Sequence, residues 1–347
     1  MIVYWFLFVF FAVGALEHAN WHPQQRQRTG LGFLAGFLFV TIAISFRYKV
    51  GADWDNYIRI FEQTDNLSLM SLLRNGDPFY QFINWLAHQL GVGIWLVNSI
   101  CGVIFTWGLW RFCKVQPSPW LAATLAIPYL VIVVAMGYSR QAVALGILMA
   151  GLARVCRGGS VARFVPYVAI AGGFHATAVI MFPIVALASK RNRLVNVAFV
   201  VFCSYFLYET FLSNAIGKYV YYVQAGYSSQ GALIRIVMNA IAAVLFCIGA
   251  QRLQFDSLER AIWRNFTLVA LGILVAYFLF PSSTALDRIS LYLIPLQIAV
   301  LGRLAFIGSS PTLGTLSVGL YLAVVQCVWL NFAQHARFWV PYHFYPL

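Results

Sequence analysis

The sequence predicts an all-α, polytopic integral membrane protein of about 12 transmembrane helices, forming one transmembrane domain over residues 1–347. Three observations carry this. The chain is 61% hydrophobic and only 10% charged, where soluble domains are roughly a quarter charged. Its apolar residues gather into runs near span length. The Lys and Arg residues collect in the connections that one topology places on a single side. With a mean hydropathy of +0.78 and about 20 residues per span, there is no room for a separate aqueous domain. A nucleotide-binding module, a zinc ribbon and any large soluble enzyme fold are thereby excluded. Six cysteines without C-x-x-C spacing give neither a disulfide framework nor a metal site.

The apolar runs fall at 1–16, 30–46, 91–110, 120–136, 141–153, 164–174, 175–189, 194–210, 231–250, 265–281, 289–302 and 313–332. The first has no basic region before it and no small-residue cleavage site after Glu17, so it reads as a permanent span. With both ends outside, 14 of the 23 Lys and Arg residues lie on the cytoplasmic side. The net charge of +13 is then a topology signal, and nucleic acid is not expected as a partner.

Residues 164–189 have basic loops at both ends, so both ends must lie inside. Two segments hinged at Gly172-Gly173 are too short to cross a core of about 30 Å. They read as a short re-entrant-like hairpin with His175 at its tip, which requires a water-filled cavity open to the outer face. Residues 47–78 and 211–230 read as external loops. Between residues 79 and 90, Phe79, Phe82, Ile83, Leu86 and Leu90 recur at helical spacing. This predicts a helix flat on the outer interface, with Gln81, Asn84 and His88 toward water.

Polar residues within this frame are few. Asp53-Trp54-Asp55 has the D-x-D spacing that can hold a divalent metal against phosphate, since hard cations take carboxylate oxygens. Equally, Asp53 can cap a helix starting at Trp54 while Asp55 pairs with Arg59 at i+4. Arg140, Arg235 and Arg288 all lie at external span mouths, where a guanidinium at the edge of an apolar run needs a cavity or a partner. Snorkelling to headgroups would satisfy each singly; together they describe an anionic ligand entering from the outer leaflet. Asp287 can cap its helix or pair with Arg288. His175 alone among the histidines lies in an apolar segment, and intramembrane ionisable groups read first as functional. The tyrosines at 219, 221, 222 and 227 suit an aromatic belt or sugar stacking.

In order along the chain, Arg47-x-x-x-Gly51-x-Asp53-x-x-x-Tyr57, Arg140-Gln141, Phe174-His175-x-x-Ala178, Asp287-Arg288-x-x-x-Tyr292 and Pro341-Tyr342 resemble the EpsG family of Wzy-type polysaccharide polymerases. The resemblance implies a C-type glycosyltransferase-like fold in the bacterial inner membrane, with its active site facing outward. It also implies transfer of an undecaprenyl-pyrophosphate-linked glycan to a sugar hydroxyl of another lipid-linked repeat unit. On that reading Arg47, Arg140, Arg235 and Arg288 meet the pyrophosphate. His175, or Asp53 or Asp55, takes the acceptor proton, and Tyr57, Gln141 and Tyr222 are the sugar-contact candidates. No cofactor is expected, the arginines standing in for a metal, although D-x-D keeps one open at Asp53 and Asp55. The expected partners are lipid-linked oligosaccharides, membrane lipids and a chain-length regulator. The rivals are a flippase for the same lipid-linked sugar, a single-addition transferase or ligase, and a membrane-bound O-acyltransferase. The external aspartates and arginines argue against the last.

Overall fold

A computed structural model describes residues 1–65, 68–74, 76–189, 193–213, 217, 220, 229, 231–280 and 282–345. All twelve apolar runs are helical over the described residues. Seven helices there have the length and hydropathy of a span: Pro23–Ser45, Ile94–Cys113, Ser139–Cys156, Leu194–Leu212, Ala232–Gly249, Ser257–Leu279 and Pro311–Phe332. An eighth results if Thr284–Leu291 and Ile294–Leu304, bent by 49°, count as one. Pro295 in the first turn of the second piece explains that break, because proline donates no hydrogen bond back to the preceding turn. The remaining four runs form apolar helices of 10–17 residues, too short for a straight crossing of a core of about 30 Å. Periodicity finds apolar helices but not which of them run the full depth.

We number as α1 to α8 the helices Ile2–Glu17, Leu31–Ser45, Trp54–Glu62, Pro78–Gln89, Ile94–Cys113, Pro119–Ala126, Ser139–Cys156 and Val165–Phe174. Then follow α9 (Met181–Ala186), α10 (Arg193–Leu207), α11 (Ala232–Gly249), α12 (Ser257–Leu279), α13 (Thr284–Leu291), α14 (Ile294–Leu304) and α15 (Pro311–Phe332). Helix α6 widens into a π-helix over Ile127–Ala135, with Pro128 at its second position, where the proline ring cannot sit in an α-helical ladder. This segment, α7 and α14 are buried on nearly every face, as helices at the centre of a bundle must be. Of the α7 window 83% is buried, against 11% of the window at Leu194–Leu212, which therefore lies at the lipid-facing periphery.

Helices α5 and α7 pack closest. A Cβ on Gly108 would sit 1.9 Å from the Gly146 carbonyl oxygen, so only glycine permits this approach. The N-terminus of α7 is fixed by Arg47. That guanidinium is 1% exposed and donates to the Ile44 carbonyl on α2, to Asn98 on α5 at 3.3 Å and to Ser139 on α7 at 2.7 Å. Behind it, strands β1 (Arg47–Tyr48) and β2 (His343–Phe344) pair antiparallel, folding the C-terminal segment over this end of the bundle. Trp339 locks the fold-back, donating from Nε1 to Ile132 O at 2.7 Å and accepting from Tyr4 Oη at 2.6 Å.

Two local expectations are corrected. The hairpin breaks at His175, whose backbone is extended, and not at the glycine pair, which lies inside α8. Gly172 and Gly173 are instead close-contact positions: a Cβ on Gly173 would lie 2.4 Å from the Phe79 ring. The helix expected over residues 79–90 forms as α4, but Asn84, expected toward water, turns inward beside Ile83 of the apolar stripe. Tyr80, Ile83, Asn84 and Ala87 are buried, while Phe79 and Phe82 are exposed. Asn84 is not toward water; its amide returns to the Tyr80 carbonyl at 2.7 Å. An apolar stripe on a membrane protein need not face the core, because lipid solvates it equally well.

Candidate functional site

Five helix ends meet at the end of the bundle that carries Arg47. Asp53 occupies the N-cap position of α3, Asp77 that of α4, and Arg140 lies in the first turn of α7. His175 is the break after α8, and Gly231, with φ of 75°, turns the chain into α11 one turn before Arg235. Asp287 and Arg288 belong to α13. Helix ends leave polar backbone groups unmade, so charged side chains can be held there at lower desolvation cost than in mid-span.

The residues form linked ion pairs. Arg140 Nη1 donates to Asp77 Oδ2 at 2.8 Å, while Asp77 Oδ1 accepts from the Ala176 amide at 3.3 Å. One carboxylate thus ties the α7 arginine to the residue after His175. Arg235 holds Asp287 in a two-pronged pair with both carboxylate oxygens. Ser229 joins that pair, accepting from Arg235 at 2.8 Å and donating to Asp287 at 2.7 Å. The Asp53 carboxylate lies in the field of Arg288 and Arg140; burial lifts its pKa above the ordinary carboxylate value, and the two guanidiniums oppose that rise. Arg140 and Arg288 also act on the His175 ring. Asp77, Arg140 and Arg288 therefore lie around one histidine, with Asp53 in the field of the two guanidiniums and the Arg235–Asp287 pair on the adjoining helices.

His175 is 7% exposed. Its Nδ1 lies 2.7 Å from Thr177 Oγ1 and 2.9 Å from Tyr292 Oη. The hydrogen bonds to the ring among the described residues all fall on Nδ1, which fixes the ring plane and orients Nε2 as the nitrogen available to another group.

The residues singled out from the sequence divide into three sets. His175, Asp53, Arg140, Arg235 and Arg288 converge in this cluster. Arg47, Tyr57 and Gln141 stand behind it as supports. Arg47 is the buried strut described above. Tyr57, 4% exposed, bears on Arg140. Gln141, also 4% exposed, donates to Arg288 O at 2.6 Å. Asp55 separates from the cluster. It is exposed in the first turn of α3, and Arg59 bonds its backbone carbonyl at 3.4 Å. Positions i and i+2 at a helix start point to different sides, so the D-x-D spacing does not converge two carboxylates. Asp53 holds the N-cap position without a side-chain cap bond, and Asp287 pairs with Arg235 in addition to its place beside Arg288. Tyr222, the neighbouring tyrosines at 219, 221 and 227, and most of the loop at 211–230 lie outside the described residues. Among the described residues no group of three or more His, Cys, Asp or Glu is arranged to hold a metal ion.

Asp77 was missed. It precedes Pro78 and reads as the end of a loop, and its partners are 63 and 99 residues away. Tyr292 was missed as a histidine partner for the same reason, and Thr177, two residues from His175, was missed although it is close in sequence.

Fold and site together define a polytopic α-helical membrane protein with a charged, largely buried centre at one end of its bundle. The EpsG family model matches residues 31–344, nearly the whole chain, and the protein belongs to the EpsG family. It is thus a membrane protein of polysaccharide biosynthesis. No curated protein and no solved structure shows a significant match to it.

Proposed function

We propose that this protein is a polysaccharide polymerase of C-type glycosyltransferase architecture. It would transfer a polyprenyl-pyrophosphate-linked glycan to a sugar hydroxyl of a second lipid-linked repeat unit, outside the cytoplasmic membrane. The observation that carries this reading is the Asp77 bridge, which holds Arg140 and the His175 tip in one frame. A cation for a leaving phosphate and a base for an acceptor proton are what such a transfer needs close together.

In the step, the acceptor oxygen attacks the anomeric carbon, the carbon–oxygen bond to the pyrophosphate breaks, and the lipid pyrophosphate departs with both electrons. His175 Nε2 takes the acceptor proton. For that, Nδ1 must carry the other proton and donate it to Thr177 or Tyr292, a tautomer that the two hydroxyls can hold. Arg140 and Arg288 meet the developing phosphate charge. The Arg140 guanidinium is oriented in advance by the Asp77 carboxylate, so little reorganisation is required there as charge develops. Asp53, in the field of Arg288 and Arg140, is the second candidate for the acceptor proton.

The site end carries Asp53, Asp77, Arg140, Arg235 and Arg288, and the opposite end carries Arg26, Arg252 and Arg303. The charge count puts the first set outside and the second inside, consistent with a site open to lipid-linked sugars on the outer leaflet. A flippase for the same molecule would also use cationic residues, but transfer releases one polyprenyl pyrophosphate per bond and transport releases none. That stoichiometry, measured on purified protein supplied only with lipid-linked repeat units, separates the two.

Asp77→Asn should leave Arg140 without its charge partner in a site of low exposure. Turnover is expected to fall about tenfold or more, the cost of one charge-assisted hydrogen bond. Expression and melting temperature should change little. Wild-type turnover in that variant would show that the bridge does not organise the site.

A further inference from the structure

The end of the bundle opposite the candidate site holds a second cationic cluster that the transfer chemistry does not use. A cleft of ≈ 130 Å³ opens there, lined by Arg26, Arg252 and Arg303 together with Gln254 and Phe306. That is roughly ten times the space one water needs. Its lining comes from four separate connections: the segment before α2, the turn between α5 and α6 at Pro117, the turn between α11 and α12, and the end of α14.

The three arginines are held differently. Arg303 is 8% exposed and is fixed by Glu259 at 3.1 and 3.3 Å, by Gln116 at 2.8 Å and by the Phe255 ring at 4.1 Å. Its Nε is buried without a hydrogen-bond partner among the described residues. Arg26 lies 4.1 Å over the Phe306 ring and donates from Nε to Trp21 O at 2.9 Å. Neither Arg26 nor Arg252 has a carboxylate partner among the described residues. The neighbouring Asp256 carboxylate is committed to capping α12, accepting from the Leu258 and Glu259 amides at 2.8 Å. Gln254, on the wall, has a positive φ of 51°.

We infer that this cleft binds a phosphate group, presented as the headgroup of an anionic phospholipid. Two guanidiniums without a carboxylate partner among the described residues, beside a third held in place by Glu259, match the oxygens of a phosphate. The position supplies the source. Arg252 lies between two span-length helices and Pro117 follows a third, which puts the cleft at the membrane boundary where headgroup phosphates are concentrated. Phe306, Ile307 and Leu253 give the apolar wall that the glycerol and upper acyl chain would follow.

The test uses the purified full chain in detergent, stripped of lipid. Phosphatidylglycerol, phosphatidylcholine and inorganic phosphate are titrated separately, with retained ligand read by native mass spectrometry and stability read by melting. Wild type should retain one phosphatidylglycerol and melt higher with it. Arg252→Gln should weaken that binding about tenfold, one charge-assisted contact being removed. Arg26→Gln should do the same. Saturable binding of inorganic phosphate that is lost in the same variants, with no gain from the acyl chains, would support the phosphate site and identify a soluble source. Phosphatidylcholine binding equal to phosphatidylglycerol binding, or both variants retaining phosphatidylglycerol like wild type, would overturn the inference.

Discussion

His175→Gln is expected to lower turnover by about 10²- to 10⁴-fold while the protein still folds and binds its lipid-linked donor. Glutamine can occupy the space and hydrogen-bond Thr177 and Tyr292, which lie 2.7 and 2.9 Å from Nδ1. It cannot take up a proton. The substitution therefore separates the base from the scaffold more cleanly than alanine, which would also leave two buried hydroxyls without their partner. Asp53→Asn provides the comparison, since its carboxylate lies in the field of Arg288 and Arg140. Full turnover in His175→Gln with collapse in Asp53→Asn would move the proton to the aspartate and leave the histidine as a brace. Turnover lost on chelation and restored by magnesium or manganese would add a metal to Asp53's role.

Arg140→Lys and Arg288→Lys are expected to lower turnover by about 10- to 100-fold each, with expression maintained. A charged hydrogen bond contributes about 1.5–3 kcal/mol, and a lysine ammonium keeps the charge but loses the planar fork. Arg235→Lys should behave differently. Arg235 is committed to both oxygens of Asp287, and their side chains are 10% and 9% exposed. Breaking such a buried pair should depress melting at least as much as turnover. Arg140, at 28% exposed, retains a surface for substrate. Measured kcat and melting temperature for the three variants should therefore sort Arg140 and Arg288 from Arg235. Wild-type turnover in both Arg140→Lys and Arg288→Lys would remove the arginines from phosphate binding.

The bundle was legible because hydropathy runs report helices directly, and each expected run is a helix over its described residues. Depth was less legible. A run of apolar residues looks alike whether it crosses the membrane, breaks at Pro295 or stops at a hairpin tip. The polar face of α4 was misread in part: Asn84, read as facing water, packs inward, because a polar side chain that returns to its own helix carbonyl can be buried. Within the site, the arginines and His175 announced themselves as ionisable groups at span ends. Their partners did not. Asp77 and Asp287 reach cations 63 and 52 residues away, and sequence spacing carries no signal over such distances. The same blindness hid the partners of Arg47, whose two Nη atoms donate to α2, α5 and α7. The D-x-D spacing misled in the other direction, since a helix start turns Asp55 away from Asp53.

The central claim is that this site joins lipid-linked repeat units into a chain. Purified protein incubated with lipid-linked repeat units alone, its products resolved by size on a gel, tests that most directly. The account predicts a ladder of regularly spaced bands, each rung one repeat unit longer, absent in His175→Gln. A single added unit would make the protein a single-addition transferase, and unchanged starting material with active wild-type protein would contradict the account.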